Sequence, residues 1–390
     1  MHCRVEKPGA APLCRALTPQ GIKARLKTYC ILPSLATVRR ARRQSGFGCL
    51  WGAMQRLLWI GSPFFCQALQ SCGWQDVALH NFEDARVFRW EDLVRLAGFT
   101  PDVLVVADKS RPPFVLGMER FPCLTVFYSV DSHIHSWQPL YAQGFDACLF
   151  SLRDHRESFS GPFLPPERVW WSPPFAQDED RPRPGASKLW DCLFVGTVNE
   201  NTPRRAAFLQ NLAGRLPGLH VQRGNYRALF PQGRILLNHC EHGDLNFRVF
   251  EAMGCGGCLL TPRVGHGMDN LFVDGEHLVG YAPDDAGDAM FRIGLLLKNP
   301  ELMAYIGETA LAEIDAGHRA RHRAQAFTDR LRDLWMQDAG ALIAARQTKA
   351  EAIRKKCLKM PYLLWAEELA EPALRRAYLA AARGNFGPAD

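Results

Sequence analysis

From Met54 onward, short apolar runs alternate along the chain with stretches of helical period. This alternation is typical of α/β domains, in which a crossover helix follows each parallel strand. Most of the runs are apolar on both faces, as expected of parallel strands that helices cover on both sides. The first series of predicted strands comprises Leu57–Gly61, Asp76–His80, Val103–Ala107, Leu124–Ser129, Ala147–Ser151 and Val169–Ser172.

A second series follows a polar segment at residues 177–188, which we interpret as an interdomain linker because it is rich in acids, proline and glycine. Its predicted strands are Cys192–Val195, Leu219–Gln222, Ile235–Asn238, Cys258–Thr261 and Leu278–Tyr281. We therefore predict an α/β fold with two Rossmann-like, doubly wound domains, at 54–176 and 189–350, that face a cleft. Helices at 351–390 are expected to close it.

The formal net charge of +7 belongs to the first 53 residues, which hold ten Lys or Arg and one acid, whereas the remainder sums to −2. Because the basic character is confined to this extension, no nucleic-acid partner is expected. We interpret residues 1–53 as a disordered basic extension or an over-long start that precedes Met54. A transit peptide is the alternative.

The thirteen cysteines are scattered in a chain too long to need a disulfide scaffold, which favours a reducing, cytoplasmic setting. No run of 18 apolar residues occurs, so no integral membrane segment is expected. The apolar stretch Cys30–Val38 is followed by four arginines where a signal-peptidase site would stand, which argues against a secretory signal.

Residues 237–262 carry the most informative chemistry, in the order strand, loop, short helix, glycine turn and strand. The helix begins near Asn246, and a helix N-terminus at the mouth of a sheet attracts phosphate. Arg248 adds a permanent cation there. Glu251, about one turn further on, could accept from ribose hydroxyls while Arg248 and the amides hold a diphosphate. The alternative is a surface ion pair between Arg248 and Glu251.

The segments Asn246–Thr261 and Leu271–Val279 resemble CgeB-like bacterial glycosyltransferases of the two-domain GT-B fold. The agreement includes Phe194–Gly196, Lys298–Glu301 and His318–Arg323, and it covers about 130 residues. The stretch Phe121–Trp137 is similar to this group as well, though more weakly.

The resemblance implies a nucleoside-diphosphate sugar as donor substrate, held mainly by the C-terminal domain, with no tightly bound cofactor. It also implies an acceptor glycan, lipid or protein that faces the N-terminal domain. Related enzymes commonly carry two glutamates with seven residues between them, and Glu251 matches the second, the expected ribose contact. Gly243 stands at the first position, beside Asp244, so that role falls to Asp244 or to no residue.

Two glycine turns, at 254–257 and 265–268, allow the backbone to approach a ligand closely. We interpret Gly257 and Gly267 as parts of a cradle for the donor sugar and its diphosphate. Simple tight turns are the alternative.

Arginines occur at two further places. Gly196 begins a strand-to-helix turn that leads to Arg204, where a cation could neutralise phosphate charge. His318–Arg323 is a basic run at a helix junction. We expect the run to form a solvated face; an acidic acceptor or a peripheral membrane contact is the alternative.

Asp131 and His133 follow an apolar strand, which places them at a carboxyl end in the first domain. They are suited to act as a general base on an acceptor hydroxyl, and Asp131 could equally orient His133. In a retaining transfer they would instead position the acceptor. His133 and His135 could also be read as metal ligands, but no further ligand stands at convincing spacing, so no metal is expected.

The sequence therefore predicts a cytoplasmic glycosyltransferase of the hexosyltransferase type. Two alternatives stay open: a non-catalytic binding or assembly module that keeps the fold, and a nucleotide-sugar epimerase or hydrolase on the same scaffold.

Overall fold

The computed structural model describes residues 56–386, and its first β-sheet has six parallel strands. Their order across the sheet is β2-β1-β3-β4-β5-β6. In chain order the strands are β1 (Arg56–Gly61), β2 (Asp76–His80), β3 (Val103–Ala107), β4 (Leu124–Ser129), β5 (Ala147–Phe150) and β6 (Val169–Trp171).

The second sheet has five parallel strands in the order β11-β10-β9-β7-β8. They are β7 (Trp190–Val195), β8 (Leu219–Gln222), β9 (Gly233–Leu237), β10 (Cys258–Pro262) and β11 (Val279–Tyr281). In each sheet the order reverses beside the strand that comes first in the chain. Ligands of doubly wound sheets bind at such a switch point, outside the carboxyl ends of the strands.

The α-helices of the described part follow the strands in the expected alternation. They are α1 (Trp90–Ala97), α2 (Gln138–Ala142), α3 (Arg156–Phe159), α4 (Pro203–Ala213), α5 (Tyr226–Leu229), α6 (Phe247–Gly254), α7 (Met268–Leu271), α8 (Ala286–Leu297), α9 (Pro300–Gly317), α10 (Ala320–Thr348), α11 (Ala350–Ile353), α12 (Lys359–Glu368) and α13 (Pro372–Arg383). A π-helical turn at Arg354–Leu358 joins α11 to α12.

All eleven predicted strands are present, with ends that differ by at most two residues. Strands β3, β4 and β5 are buried at every position, because helices cover both faces of the sheet. The predicted fold class, two Rossmann-like parallel α/β domains, is confirmed. Residues 1–53, predicted to be a basic extension, lie outside the described residues.

The end of the chain returns to the first sheet. Helix α10 buries Phe327 and Leu331 in the same cluster as Trp59 on one face of that sheet. The segment from Ile353 to Ala382 packs into the cluster on the other face. Residues 320–350, predicted to belong to the second domain at 189–350, therefore pack on the first sheet.

The basic run His318–Arg323 was wrongly predicted to be a solvated face. Arg319 is fully buried, and its Nη1 donates to the carbonyl oxygens of Gln177 (2.8 Å) and Asp180 (2.7 Å). Arg323 donates to the carbonyl oxygens of Pro173 (2.9 Å) and Pro174 (3.1 Å). The two guanidinium groups thus satisfy backbone oxygens of the segment that connects the sheets, and they fix the start of α10 against it.

Among residues 56–386, none of the helices combines the length and the apolar composition that a bilayer-spanning segment requires.

Candidate functional site

Arg248 lies at the switch point of the second sheet, where the neighbouring strands β7 and β9 end. Its Nε donates to the carbonyl oxygen of Val195 (2.9 Å), and its Nη1 donates to Oδ1 of Asn238 (3.0 Å). One guanidinium therefore bridges the carboxyl ends of both strands. A Cβ atom at Gly196 would lie 2.8 Å from Nη2 of Arg248, so glycine leaves the space that this side chain occupies.

A second arginine shares this environment. The guanidinium carbons of Arg248 and Arg205 lie 5.1 and 5.8 Å from the centroid of the Phe194 ring. Burial, together with the charge of Arg205, lowers the pKa of Arg248. Two cations that are partly withdrawn from water make this place attractive to an anion.

Asn246 occupies the N-cap position of α6 but makes no side-chain hydrogen bond to the helix. Its side chain instead bonds to Asn238 (3.2 Å) and to the sulfur of Cys240 (3.3 Å). The first N–H groups of α6 are thus left without a side-chain cap, beside Arg248. This combination of helix dipole, N–H donors and a cation suits phosphate.

Glu251 follows Arg248 by about one turn on α6. Burial raises the pKa of its carboxyl to about 7; the charge of Asp180 adds to that shift, whereas Arg248 and Arg227 oppose it. The alternative of a surface ion pair is not what the described residues show, because the N–H groups of Arg248 bind Val195 and Asn238. The carboxylate of Glu251 is therefore available to hydroxyl donors.

Arg204 is placed differently from Arg248. The carboxylate of Glu241, which is buried, accepts from the backbone N–H groups of Arg204 (3.0 Å) and Arg205 (2.9 Å) and so closes the N-terminus of α4. The Arg204 guanidinium pairs with Asp284, next to the end of β11. It lines a cavity of about 250 Å³ together with His239 and Arg263. Its charge is thus already balanced by a carboxylate.

The two predicted glycine cradles lie apart from each other. Gly257 directly precedes β10, so it lies where the parallel strands begin, whereas Arg248 lies where they end. A Cβ atom at Gly257 would be 2.2 Å from the Leu236 side chain. The prediction that Gly257 contacts a donor is therefore wrong: this glycine allows the packing of the turn on β9. Gly267 has φ 89°, and a Cβ there would be 2.6 Å from the Trp171 ring of the first domain.

Asp131 and His133 lie in a turn just beyond the end of β4. The backbone N–H of Asp131 donates to the carboxylate of Asp108 (2.8 Å). Burial and the charge of Asp108 raise the pKa of Asp131. Because the strand ends at Ser129, His133 and His135 do not share a strand face, and His135 bonds to Ser110 instead (2.9 Å).

His133 faces the second domain across the cleft. Its ring centroid lies 5.7 Å from that of His242, and burial lowers its pKa, which the charges of Asp244 and Asp131 partly offset. Asp244 is thus part of the cleft. Elsewhere in the cleft, the backbone N–H of His266 donates to Asp154 (2.8 Å). Within residues 56–386, no group of three or more His, Cys, Asp or Glu is arranged to hold a metal ion.

Three acids of this region were missed by the sequence analysis. Asp108 directly follows the last residue of β3, so the rule that placed Asp131 at a carboxyl end could have found it. Glu241 and Asp180 gave no such signal, because their partners Arg205, Tyr226 and Arg227 are distant in the chain.

Comparison with known proteins agrees with this geometry. Residues 199–329 match the model of a family described as glycosyl transferase-like. No curated protein matches the chain.

Solved structures share its fold at low sequence identity. HepE of Anabaena in complex with UDP and glucose is 12% identical over 71% of this chain and 99% of its own, with a TM-score of 0.52. Sucrose-phosphate synthase from Thermosynechococcus elongatus is 10% identical over 73% of this chain and 100% of its own, also with a TM-score of 0.52. The chain thus has the GT-B fold, and its residues 199–329 carry the signature of the glycosyl transferase-like family.

Proposed function

We propose that this chain is a cytoplasmic glycosyltransferase of the CgeB-like group, which transfers a hexosyl residue from a nucleoside-diphosphate sugar to an acceptor hydroxyl. The observation that carries the proposal is the position of Arg248. It bridges the ends of β7 and β9 beside the uncapped N-terminus of α6, and Glu251 follows on the same helix. The nine cysteines within the described residues are free thiols, which fits a reducing compartment.

The donor is bound through its diphosphate and its ribose. The first N–H groups of α6 donate to phosphate oxygens, and the guanidinium groups of Arg248 and Arg205 balance their charge. Glu251 accepts from the ribose hydroxyls when it is ionised. We choose UDP-glucose as the first donor to test, because HepE of the same fold has been solved with UDP-glucose at a TM-score of 0.50.

The acceptor lies on the side of the first domain. Asp131 takes the proton of the acceptor hydroxyl, and the oxygen attacks the anomeric carbon of the donor sugar. The bond between that carbon and the phosphate oxygen breaks, and the nucleoside diphosphate leaves with the electron pair. The charge that develops on the leaving oxygen is stabilised by Arg248 and the N-terminus of α6. His133 positions the acceptor from the same turn.

Binding and transfer are tested separately. A screen of nucleotide sugars by thermal shift should find a donor that raises the melting temperature in a concentration-dependent way. Glu251→Ala should lose that shift and abolish transfer. Glu308→Ala, which removes an exposed glutamate of α9, is the matched control and should retain both.

Product analysis separates the alternatives. Transfer to a glycan, lipid or protein acceptor supports the proposal. Sugar that is released to water, or that is isomerised while still attached to the nucleotide, would identify a hydrolase or an epimerase. A wild-type chain that binds no nucleotide sugar would be a non-catalytic module.

A further inference from the structure

Helix α4 begins beside the donor site, but the side chain of its own N-cap residue, Thr202, does not cap it. The Thr202 hydroxyl donates to the carbonyl oxygen of Asn199 (3.1 Å) and accepts from the backbone N–H of the same residue (2.9 Å). Pro203, the first helical residue, has no N–H, so Arg204 and Arg205 carry the N–H groups that a capping side chain normally satisfies. Those two groups need an acceptor from elsewhere in the chain.

Glu241 supplies that acceptor from the loop between β9 and α6. Its carboxylate is buried, and the two oxygens accept separately, Oε1 from the N–H of Arg204 (3.0 Å) and Oε2 from the N–H of Arg205 (2.9 Å). The contact also runs in the other direction, because Nη1 of Arg204 donates to the carbonyl oxygen of Glu241 (3.1 Å). The first N–H groups of α4 are thus engaged within the protein, so α6 rather than α4 offers free N–H donors to phosphate.

Arg205 is held at both ends of its side chain. Its backbone N–H is bound to Glu241, and its Nη1 donates to the carbonyl oxygen of Thr197 (2.9 Å), in the loop after β7. The guanidinium carbon lies 5.8 Å from the centroid of the Phe194 ring, and that of Arg248 lies 5.1 Å from the same centroid. The Thr197 oxygen is uncharged, and the buried Nε of Arg205 has no acceptor among residues 56–386. The positive charge of Arg205 therefore remains available to an anion that Arg248 also binds.

We propose that Glu241 is a positioning residue of the donor site, which fixes the start of α4 so that the Arg205 guanidinium lies beside Arg248 and contacts the donor diphosphate. This inference rests on the proposed function, because it assigns a role within the same site. Glu241 does not bind the donor itself, since its negative charge repels phosphate. Without one of its two hydrogen bonds the first turn of α4 becomes free to move, and the long side chain of Arg205 loses its fixed starting point.

Calorimetry with UDP and with uridine tests this role in two backgrounds. In Glu241→Gln the side chain keeps its size but can accept from only one of the two N–H groups, so we expect the affinity for UDP to fall about tenfold and that for uridine to stay the same. In Arg205→Ala the affinity for UDP should fall by a similar factor. Because Glu241 acts through Arg205, the double variant Glu241→Gln/Arg205→Ala should bind UDP as tightly as Arg205→Ala alone.

Asp285→Ala is the matched control. Asp285 caps α8 in the same way, by accepting from the backbone N–H groups of Gly287 (2.8 Å) and Asp288 (3.0 Å). Its removal should lower the melting temperature, as the loss of a helix cap does, without changing the affinity for UDP. A purely structural role of Glu241 would instead weaken the binding of UDP and uridine alike, and this loss would persist in the Arg205→Ala background.

A second readout does not depend on the donor. The Nε–H of Arg205, assigned in NMR spectra by its absence in Arg205→Ala, is buried in the wild type and should exchange with solvent several times faster in Glu241→Gln. Unchanged exchange, or a lower UDP affinity in the double variant than in Arg205→Ala, overturns the inference. An Arg205→Ala variant that binds UDP like the wild type overturns it as well. A wild-type chain that binds neither UDP nor uridine defeats the proposed function instead, and the exchange rate still decides the role of Glu241.

Discussion

The backbone N–H of Asp131 donates a 2.8 Å hydrogen bond to the carboxylate of Asp108, so two acids that follow neighbouring strands lie side by side. The same Asp108 oxygen accepts from Val130 (3.0 Å) and from Nε2 of Gln138 (2.8 Å). Asp108 therefore shapes the turn that presents Asp131. Its charge also acts with burial to raise the pKa of Asp131.

Replacing Asp108 by asparagine should shift the pH profile of transfer. Asp131 acts as a base only when it is deprotonated, so kcat/KM falls as the pH drops through its pKa. Loss of the neighbouring negative charge lowers that pKa, and the acid limb of kcat/KM should move to lower pH. Asp84→Asn removes an exposed acid that pairs with Arg86 and should leave the limb in place. An acid limb that stays or moves upward in Asp108→Asn would contradict the assignment of Asp131.

Arg248→Ala should weaken the binding of UDP far more than that of uridine. A hydrogen bond to a charged group contributes about 1.5–3 kcal/mol, which corresponds to a loss of roughly 10- to 150-fold in affinity. Calorimetry at two salt concentrations measures both affinities, because the electrostatic contribution to UDP binding weakens as the ionic strength rises. Arg234→Ala, which breaks a surface pair with Asp191, is the control. Equal losses for UDP and uridine would show that Arg248 has no diphosphate contact.

Glu119→Gln should stabilise the protein at alkaline pH. Neither oxygen of this fully buried carboxyl has a hydrogen-bond partner among the described residues, and burial raises its pKa from 4.5 to about 7. Because the folded form holds the proton more tightly, stability is lost as the pH rises from about 4.5 through about 7, by about 3 kcal/mol. Urea unfolding at pH 5 and pH 8 should show a loss that is about 3 kcal/mol larger in the wild type than in the variant, because the buried Glu251 contributes equally to both. The exposed Glu157→Gln is the control, and parallel behaviour of all three proteins would refute the prediction.

Gly267→Ala should lower the melting temperature and kcat more than Gly275→Ala does. Both glycines have positive φ, 89° and 85°, so alanine strains the backbone at each by roughly 1–2 kcal/mol. A Cβ at Gly275 meets no atom within 4 Å, whereas a Cβ at Gly267 collides with the Trp171 ring across the cleft. We expect a larger fall in melting temperature and about a tenfold lower kcat for Gly267→Ala alone. Equal effects of the two substitutions would mean that the contact between Gly267 and Trp171 does not help to fix the two domains at the cleft.

The strands were predictable because each is a short apolar run. A strand that is buried on both faces needs an apolar side chain at nearly every position, and this pattern is visible in the sequence. Arg248 and Glu251 were predictable for a related reason: they lie on one helix, so their spacing in the chain sets their spacing in space. Gly257 is on the same stretch of chain, but α6 carries the backbone across the sheet before Gly257 is reached. Residues that are continuous in the chain therefore lie at opposite ends of the strands.

The burial and pairing of the other charged residues depend on partners that are distant from them in the chain. Arg319 looked solvated within its basic run, yet it binds backbone oxygens about 140 residues earlier. Asp180 looked like part of a polar linker, yet Tyr226 and Arg227 bury it. Only the packed structure brings these groups together, since local periodicity carries no information on which distant donor a carboxylate meets.

The return of α10 and the last helices to the first sheet has a consequence for the order of synthesis. Strands β1 to β6 leave the ribosome early, but residues 320–382, which cover both of their faces, leave last. Apolar surface of the first sheet therefore remains exposed until nearly the whole polypeptide has been synthesised. Most helices that pack on the second sheet are synthesised before that point. A cut at residues 177–188 would not yield two halves that each fold.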